Sequence, residues 1–107
     1  MDVELLMMAE CPHEHDAAVL LRTALDDVGL VSTGFRTTVV ASPHEAQQRG
    51  FIGSPTVLLD GADLFSAPDQ APGLACRVYP TPTGSAGVPA LGELLRALKR
   101  ATGEGDP

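Results

Sequence analysis

The stretch Val3-Glu4-Leu5-Leu6-Met7-Met8-Ala9-Glu10-Cys11-Pro12-His13-Glu14 decides the fold. A short apolar run stops abruptly at Glu10-Cys11-Pro12. At that length it predicts a strand buried on both faces, in the middle of an α/β sheet. Pro12 suits the first turn of a helix, where its missing N–H is no loss. From Asp16 the pattern turns helical: Leu21, Ala24, Leu25 and Val28 share one face, and Gly29 ends the helix as a left-handed cap. The centre of the molecule is therefore a strand that runs straight into a cysteine at a strand-to-helix junction.

Outward from this centre, Phe35 to Ala41, rich in Thr and Val, predicts a second strand. It should lie parallel to the first, joined by a right-handed crossover. Ser42-Pro43-His44-Glu45 has the form of a capping box with proline at the first helical position, opening a short helix from Pro43 to Arg49 that Gly50 closes. Phe51-Ile52-Gly53-Ser54-Pro55 leads into the apolar run Thr56-Val57-Leu58-Leu59. Asp60-Gly61 then signals a hairpin returning through Ala62 to Phe65. Residues 66–89 hold five prolines and three glycines and predict a shaped loop, with room for a few paired residues in Leu74-Ala75-Cys76-Arg77-Val78-Tyr79. Pro89 opens a last helix with the stripe Leu91, Leu94, Leu95 and Leu98. The expected order is βαβαββα, an α/β fold with a mixed central sheet and helices on both faces. It forms one domain over residues 1–107, with 102–107 as a flexible tail.

The 107 residues are 44% hydrophobic but only 4% aromatic, with no Trp, so the core must be built from Leu, Val, Ala and Met. A net charge of −7 with no basic run leaves no cluster of Lys and Arg for phosphate contacts, and no nucleic-acid partner is expected. No apolar stretch approaches the ~20 residues of a membrane span, and no basic segment precedes an apolar core as in a signal peptide. The expectation is a cytoplasmic protein without a membrane partner. Its two cysteines, Cys11 and Cys76, are too few for a disulfide scaffold and enough for one reactive pair.

Taken together, these features resemble the thioredoxin-fold family. A strand enters Cys11-Pro12-His13-Glu14 at a helix N-terminus; Gly53-Ser54-Pro55-Thr56-Val57 precedes a strand about forty residues later; a hairpin and an amphipathic helix follow. The resemblance covers nearly the whole chain. It implies that Pro55 is cis and faces Cys11, and that Pro12, His13, Ser54, Pro55 and Thr56 border a substrate groove, with the backbone of Ser54 and Thr56 available to pair with a substrate strand. The family's Cys-x-x-Cys motif has Glu14 in its fourth position here, so no resolving cysteine lies on the same turn. The chain is also similar to small bacterial proteins described as thioredoxin-like or alkylmercury lyase-like, which share the Cys-Pro-His start, Gly-Ser-Pro-Thr and a late Cys-Arg-Val-Tyr. Organomercurial lyases use two cysteines far apart in sequence and a carboxylate three residues after the first. Cys11, Glu14 and Cys76 fit that pattern, with Glu in place of Asp.

Three functions follow as expectations. In thiol–disulfide exchange, Cys11 attacks a disulfide and Cys76 resolves the mixed disulfide; the partner is a protein or small-molecule thiol or disulfide, and no cofactor is needed. In organomercurial protonolysis, Cys11 and Cys76 bind mercury and Glu14 delivers a proton to carbon. The third is a non-catalytic metal-binding or interaction module. A helix N-terminus favours an ionised thiol, whereas Glu10, Glu14 and Asp16 oppose it. A strand-to-helix junction is an edge, so Cys11 is expected at the surface rather than in the core. The topology returns the chain from the Asp60-Gly61 turn toward Cys11, so the loop carrying Cys76 should emerge beside it. Cys11, His13 and His15 alternate in sequence and point in different directions on a helix, which argues against a closed tetrahedral site. His44 is expected on the surface of the second helix, and Arg77 as an exposed arginine.

Overall fold

A computed structural model of the chain describes residues 2–65 and 70–102. Its elements are β1 (Val3–Met8), α1 (Glu14–Asp27), β2 (Arg36–Val40), α2 (Pro43–Arg49), β3 (Thr56–Leu59), β4 (Ala62–Asp63), β5 (Tyr79–Thr81), β6 (Gly84–Ala86) and α3 (Leu91–Thr102). Four strands form a mixed sheet in the order β2-β1-β3-β4, and β5 and β6 pair separately. β1 runs parallel to β2 and antiparallel to β3, and β3 antiparallel to β4. β1 is thus an inner strand, as its largely apolar run predicts.

The side chains of β1 alternate between two apolar layers. Val3, Leu5 and Met7 face Leu21, Ala24 and Leu25 of α1 and Leu94 and Leu98 of α3. Leu6 faces the opposite way, with Val40, Ala46 of α2, Phe51 and Leu58. Helices therefore cover both faces of the sheet. The stripe of α3 is Leu94, Ala97 and Leu98, while Leu91 is exposed and Leu95 half-buried.

Local signals place most boundaries. The Ser42 hydroxyl accepts the Glu45 N–H at 3.1 Å, Pro43 opens α2, and Gly50 closes it at φ +64°. The Asp60-Gly61 turn takes positive φ at both residues, as tight hairpins require. β4 is shorter than the expected return to Phe65, because the Asp63 carboxylate accepts the Phe65 N–H at 2.9 Å and turns the chain out of the ladder. Pro12 lies before α1 rather than in its first turn: the Glu14 N–H bonds the Cys11 carbonyl at 3.2 Å, and the first helical bond runs from Ala17 to His13. Pro89 likewise precedes α3 by two residues. The expected shaped loop contains the β5–β6 hairpin, in which Pro80 is tolerated because a two-stranded ribbon leaves its missing N–H on an outer side. The tail expected over 102–107 lies, beyond Thr102, outside the described residues, as do residues 66–69 of the loop.

One charge is buried in the sheet. Glu4, 5% exposed, accepts the Thr38 hydroxyl at 2.6 Å and pairs with Arg49 of α2 at 2.7 Å and Arg36 of β2 at 3.3 Å. Burial raises this carboxyl, but the Thr38 hydroxyl and the two guanidinium groups outweigh it, so the net shift is below the ordinary value of 4.5. A depressed carboxyl contributes stability that is present above its unfolded value and lost as pH falls through its folded one. Glu4→Gln is expected to cost about 1–3 kcal/mol at neutral pH. The difference from wild type should shrink below about pH 4, read from denaturant midpoints across that range.

Candidate functional site

The site is built around Ser54. Its side chain, fully buried, accepts the Met8 N–H at 3.1 Å from the end of β1. Its single proton is directed to the Cys11 sulfur, with Oγ to Sγ at 3.0 Å. Ser54–Pro55 is a cis peptide, as the resemblance implies. Cys11 itself is only 7% exposed and packs with the layer formed by β1, α1 and α3. The junction was expected to leave it at an edge. It is buried because the 53–55 turn folds directly over it.

Cys76 comes to the same place from the far side of the sequence. Ser54 and Cys76 form a parallel bridge: the Ser54 N–H bonds the Ala75 carbonyl at 2.8 Å, and the Arg77 N–H bonds the Ser54 carbonyl at 2.9 Å. Bridged residues in a ladder project to the same face, so Ser54 neighbours both cysteines. Both are free thiols; Cys11 is buried and Cys76 exposed. The main-chain groups of Ser54 are consequently occupied by the chain itself rather than open to a substrate strand. Thr56 is paired with Leu6 inside the sheet.

Arg77 holds this arrangement in place. It is buried, not exposed, and its guanidinium donates to Asp63 at 2.8 Å, to the Thr56 hydroxyl at 3.1 Å and to the Phe65 carbonyl, while lying 4.9 Å above the Tyr79 ring. Desolvation of an arginine is tolerable only with such partners. Tyr79 packs edge-on against Phe65 and donates its hydroxyl to the Pro55 carbonyl at 2.5 Å. Sequence reasoning missed Asp63 and Tyr79 and expected Arg77 on the surface. The available signal was the period-two placement of Arg77 and Tyr79, which puts both on one face of an extended segment. Burial pushes the Tyr79 hydroxyl well above its ordinary value of 10.0, Arg77 opposing and Asp63 adding to the rise. A raised phenol contributes stability that is present below its unfolded value and lost as pH rises through its folded one. Wild type is therefore expected to lose stability above about pH 10. Tyr79→Phe should cost about 1–2 kcal/mol near neutrality and abolish its share of that alkaline loss, measured by urea unfolding at both pH values.

The remaining expected residues are arranged as follows. Pro12, Glu14, His15 and His44 are exposed, His13 is half-buried, and Pro55 is fully buried. Glu14 opens α1 with its side chain toward solvent. His13 is packed so closely on Gly87 that a side chain there would overlap the imidazole. A cleft of about 240 Å³ lies between His13, Cys76, Arg77 and the β6 end at Ser85 to Gly87. A larger cavity of about 400 Å³ opens between Phe65, β5 and α3, but no cysteine or histidine lines it. Among the described residues, no three His, Cys, Asp or Glu side chains gather closely enough to hold a metal ion. No helix among them is long and apolar enough to cross a membrane. Comparison of the chain with known protein families, curated proteins and solved structures returns no match.

Proposed function

We propose that the chain is a thioredoxin-like thiol protein in which Cys11 and Cys76 form a redox pair, cycling between dithiol and disulfide against a thiol or disulfide substrate. The observation that carries this reading is the position of Ser54, hydrogen-bonded through its side chain to the Cys11 sulfur and bridged through its backbone to the Cys76 segment. The sheet order β2-β1-β3-β4, with helices on both faces and a cysteine where β1 meets α1, supports the same reading. In exchange, a thiolate displaces one substrate sulfur and forms a mixed disulfide; the second protein thiolate then displaces the other. The substrate gains two electrons and the protein pair is left oxidised, to be reset by an external thiol.

Thiol titration after mild oxidation tests the pair. Wild type is expected to lose both thiols together as an intramolecular disulfide, while Cys11→Ser and Cys76→Ser each retain no turnover above the uncatalysed rate. Persistence of two free thiols in wild type under every oxidant removes the reading.

A second reading is favoured by Glu14, which has no part in disulfide exchange. With mercury held by the two thiolates, a carboxyl three residues from Cys11 delivers a proton to carbon and releases the hydrocarbon. Benzene release from a phenylmercury salt, lost in Glu14→Gln with mercury binding kept, is the expected result under that reading. No release by wild type excludes it.

A further inference from the structure

Resting on the thiol-pair reading above, we propose that Cys76, not Cys11, is the thiol that meets the substrate, and that the substrate is a low-molecular-weight disulfide received in the cleft beside His13 rather than an extended polypeptide.

Access decides the order of the thiols. Disulfide exchange needs a sulfur that the incoming bond can approach. Cys11 is buried beneath Ser54, whereas Cys76 is exposed and lines an open cleft. A substrate reaches Cys76 with no movement of the chain, and reaches Cys11 only after the chain around Ser54 has opened locally.

Geometry decides the class of substrate. A polypeptide that docked by strand pairing would need the Ser54 N–H and carbonyl, and both are already bonded to Ala75 and Arg77. The cleft, at about 240 Å³, is below the ~300–1,000 Å³ of sites that enclose a whole drug-sized ligand. It has room for one half of a small disulfide, with the other half in solvent. Among the described residues it is lined by His13, Cys76, Arg77, Val78 and Ser85 to Gly87, with no Asp or Glu, in a chain whose net charge is −7. That local absence of acid suits a small disulfide bearing carboxylates.

The Cys76 thiolate attacks one sulfur of the small disulfide, forming a mixed disulfide and expelling one thiolate. The Cys11 thiolate, hydrogen-bonded to Ser54, then attacks the Cys76 sulfur and expels the second. The two protons released by the protein thiols are taken up by the two expelled thiolates.

The test uses the reduced 107-residue chain, dithiobis-nitrobenzoate as the small anionic disulfide, and intact mass to locate adducts. Cys11→Ser is expected to form a stable adduct on Cys76 at close to the wild-type rate, while Cys76→Ser reacts at least about tenfold more slowly, because its thiol must wait for local opening. An unstructured peptide carried as a mixed disulfide with the same nitrothiobenzoate leaving group should react at least about tenfold more slowly than the small disulfide with wild type. Fast adduct formation by Cys76→Ser with an inert Cys11→Ser overturns the order of the thiols and leaves the pair intact. Equal rates with the peptide and the small disulfide overturn the substrate class. Failure of wild type to close the intramolecular disulfide with any oxidant overturns the pair itself, a separate result.

Discussion

Arg77→Met is expected to lower the unfolding free energy by about 3–5 kcal/mol, the usual cost of removing one partner from a buried ion pair. The substitution keeps the length of the apolar stem but leaves the Asp63 carboxylate, only 17% exposed, without its cation. It also strips a donor from Thr56 and from the Phe65 carbonyl. The effect should be local as well as global. Arg77 is the residue through which the Cys76 segment is fixed to the β3–β4 hairpin, so its loss should release that segment and speed modification of Cys11 by a bulky thiol reagent under native conditions. Urea unfolding followed by circular dichroism gives the first quantity and timed labelling gives the second. A loss under about 1 kcal/mol, typical of an exposed pair, with unchanged labelling, would show that Arg77 does not hold the segment.

Gly53→Ala is expected to cost about 2–5 kcal/mol, from the strained backbone and the overpacking together. Gly53 has φ +146°, a conformation that side chains avoid, and a Cβ there would stand 2.9 Å from the Arg77 Cβ and 3.1 Å from its Cα. The obstacle is backbone and the root of a buried side chain, so neither neighbour yields easily. Gly50→Ala provides the contrast. That glycine also has positive φ, but open space surrounds it, and its replacement should cost only about 1–2 kcal/mol. Thermal melts of the two variants measure the difference between strain alone and strain with collision.

The legible parts of this fold were those where one local rule acts without competition. The largely apolar run of β1, the Ser42 cap with Pro43, and the Asp60-Gly61 turn each announce themselves within a few residues. β3 spans Thr56–Leu59 as its apolar run indicates. The segment around Cys76 was harder because hydropathy there runs against position. Arg77 is inside and Val78 is 66% exposed, the reverse of what either side chain prefers alone. The arginine is drawn inward by Asp63 and Thr56, which lie 14 and 21 residues away in sequence, and nothing local to Arg77 reports them. Cys11 was misjudged for a related reason. A junction is an edge only if nothing folds over it, and here the Gly53-Ser54-Pro55 turn does. The three-residue strands β5 and β6 were hidden by Pro80 and Pro82, which normally argue against a ladder.

The buried carboxylate in β1 has a consequence for how the chain finds this structure. Leu6 and Glu4 project toward the α2 side, while Val3, Leu5 and Met7 project toward α1 and α3. The remainder of β1 is apolar on both sides, so a slip of one residue against β2 or β3 would exchange one set of oily side chains for another at modest cost. Glu4 makes that slip expensive. Displaced by one position, it would enter the layer of Leu21, Leu25 and Leu98, far from Arg36 and Arg49, and an unpaired charge in such a layer is among the largest penalties a fold can carry. The buried carboxylate thus also distinguishes the one correct alignment of the central strand from its nearest wrong ones.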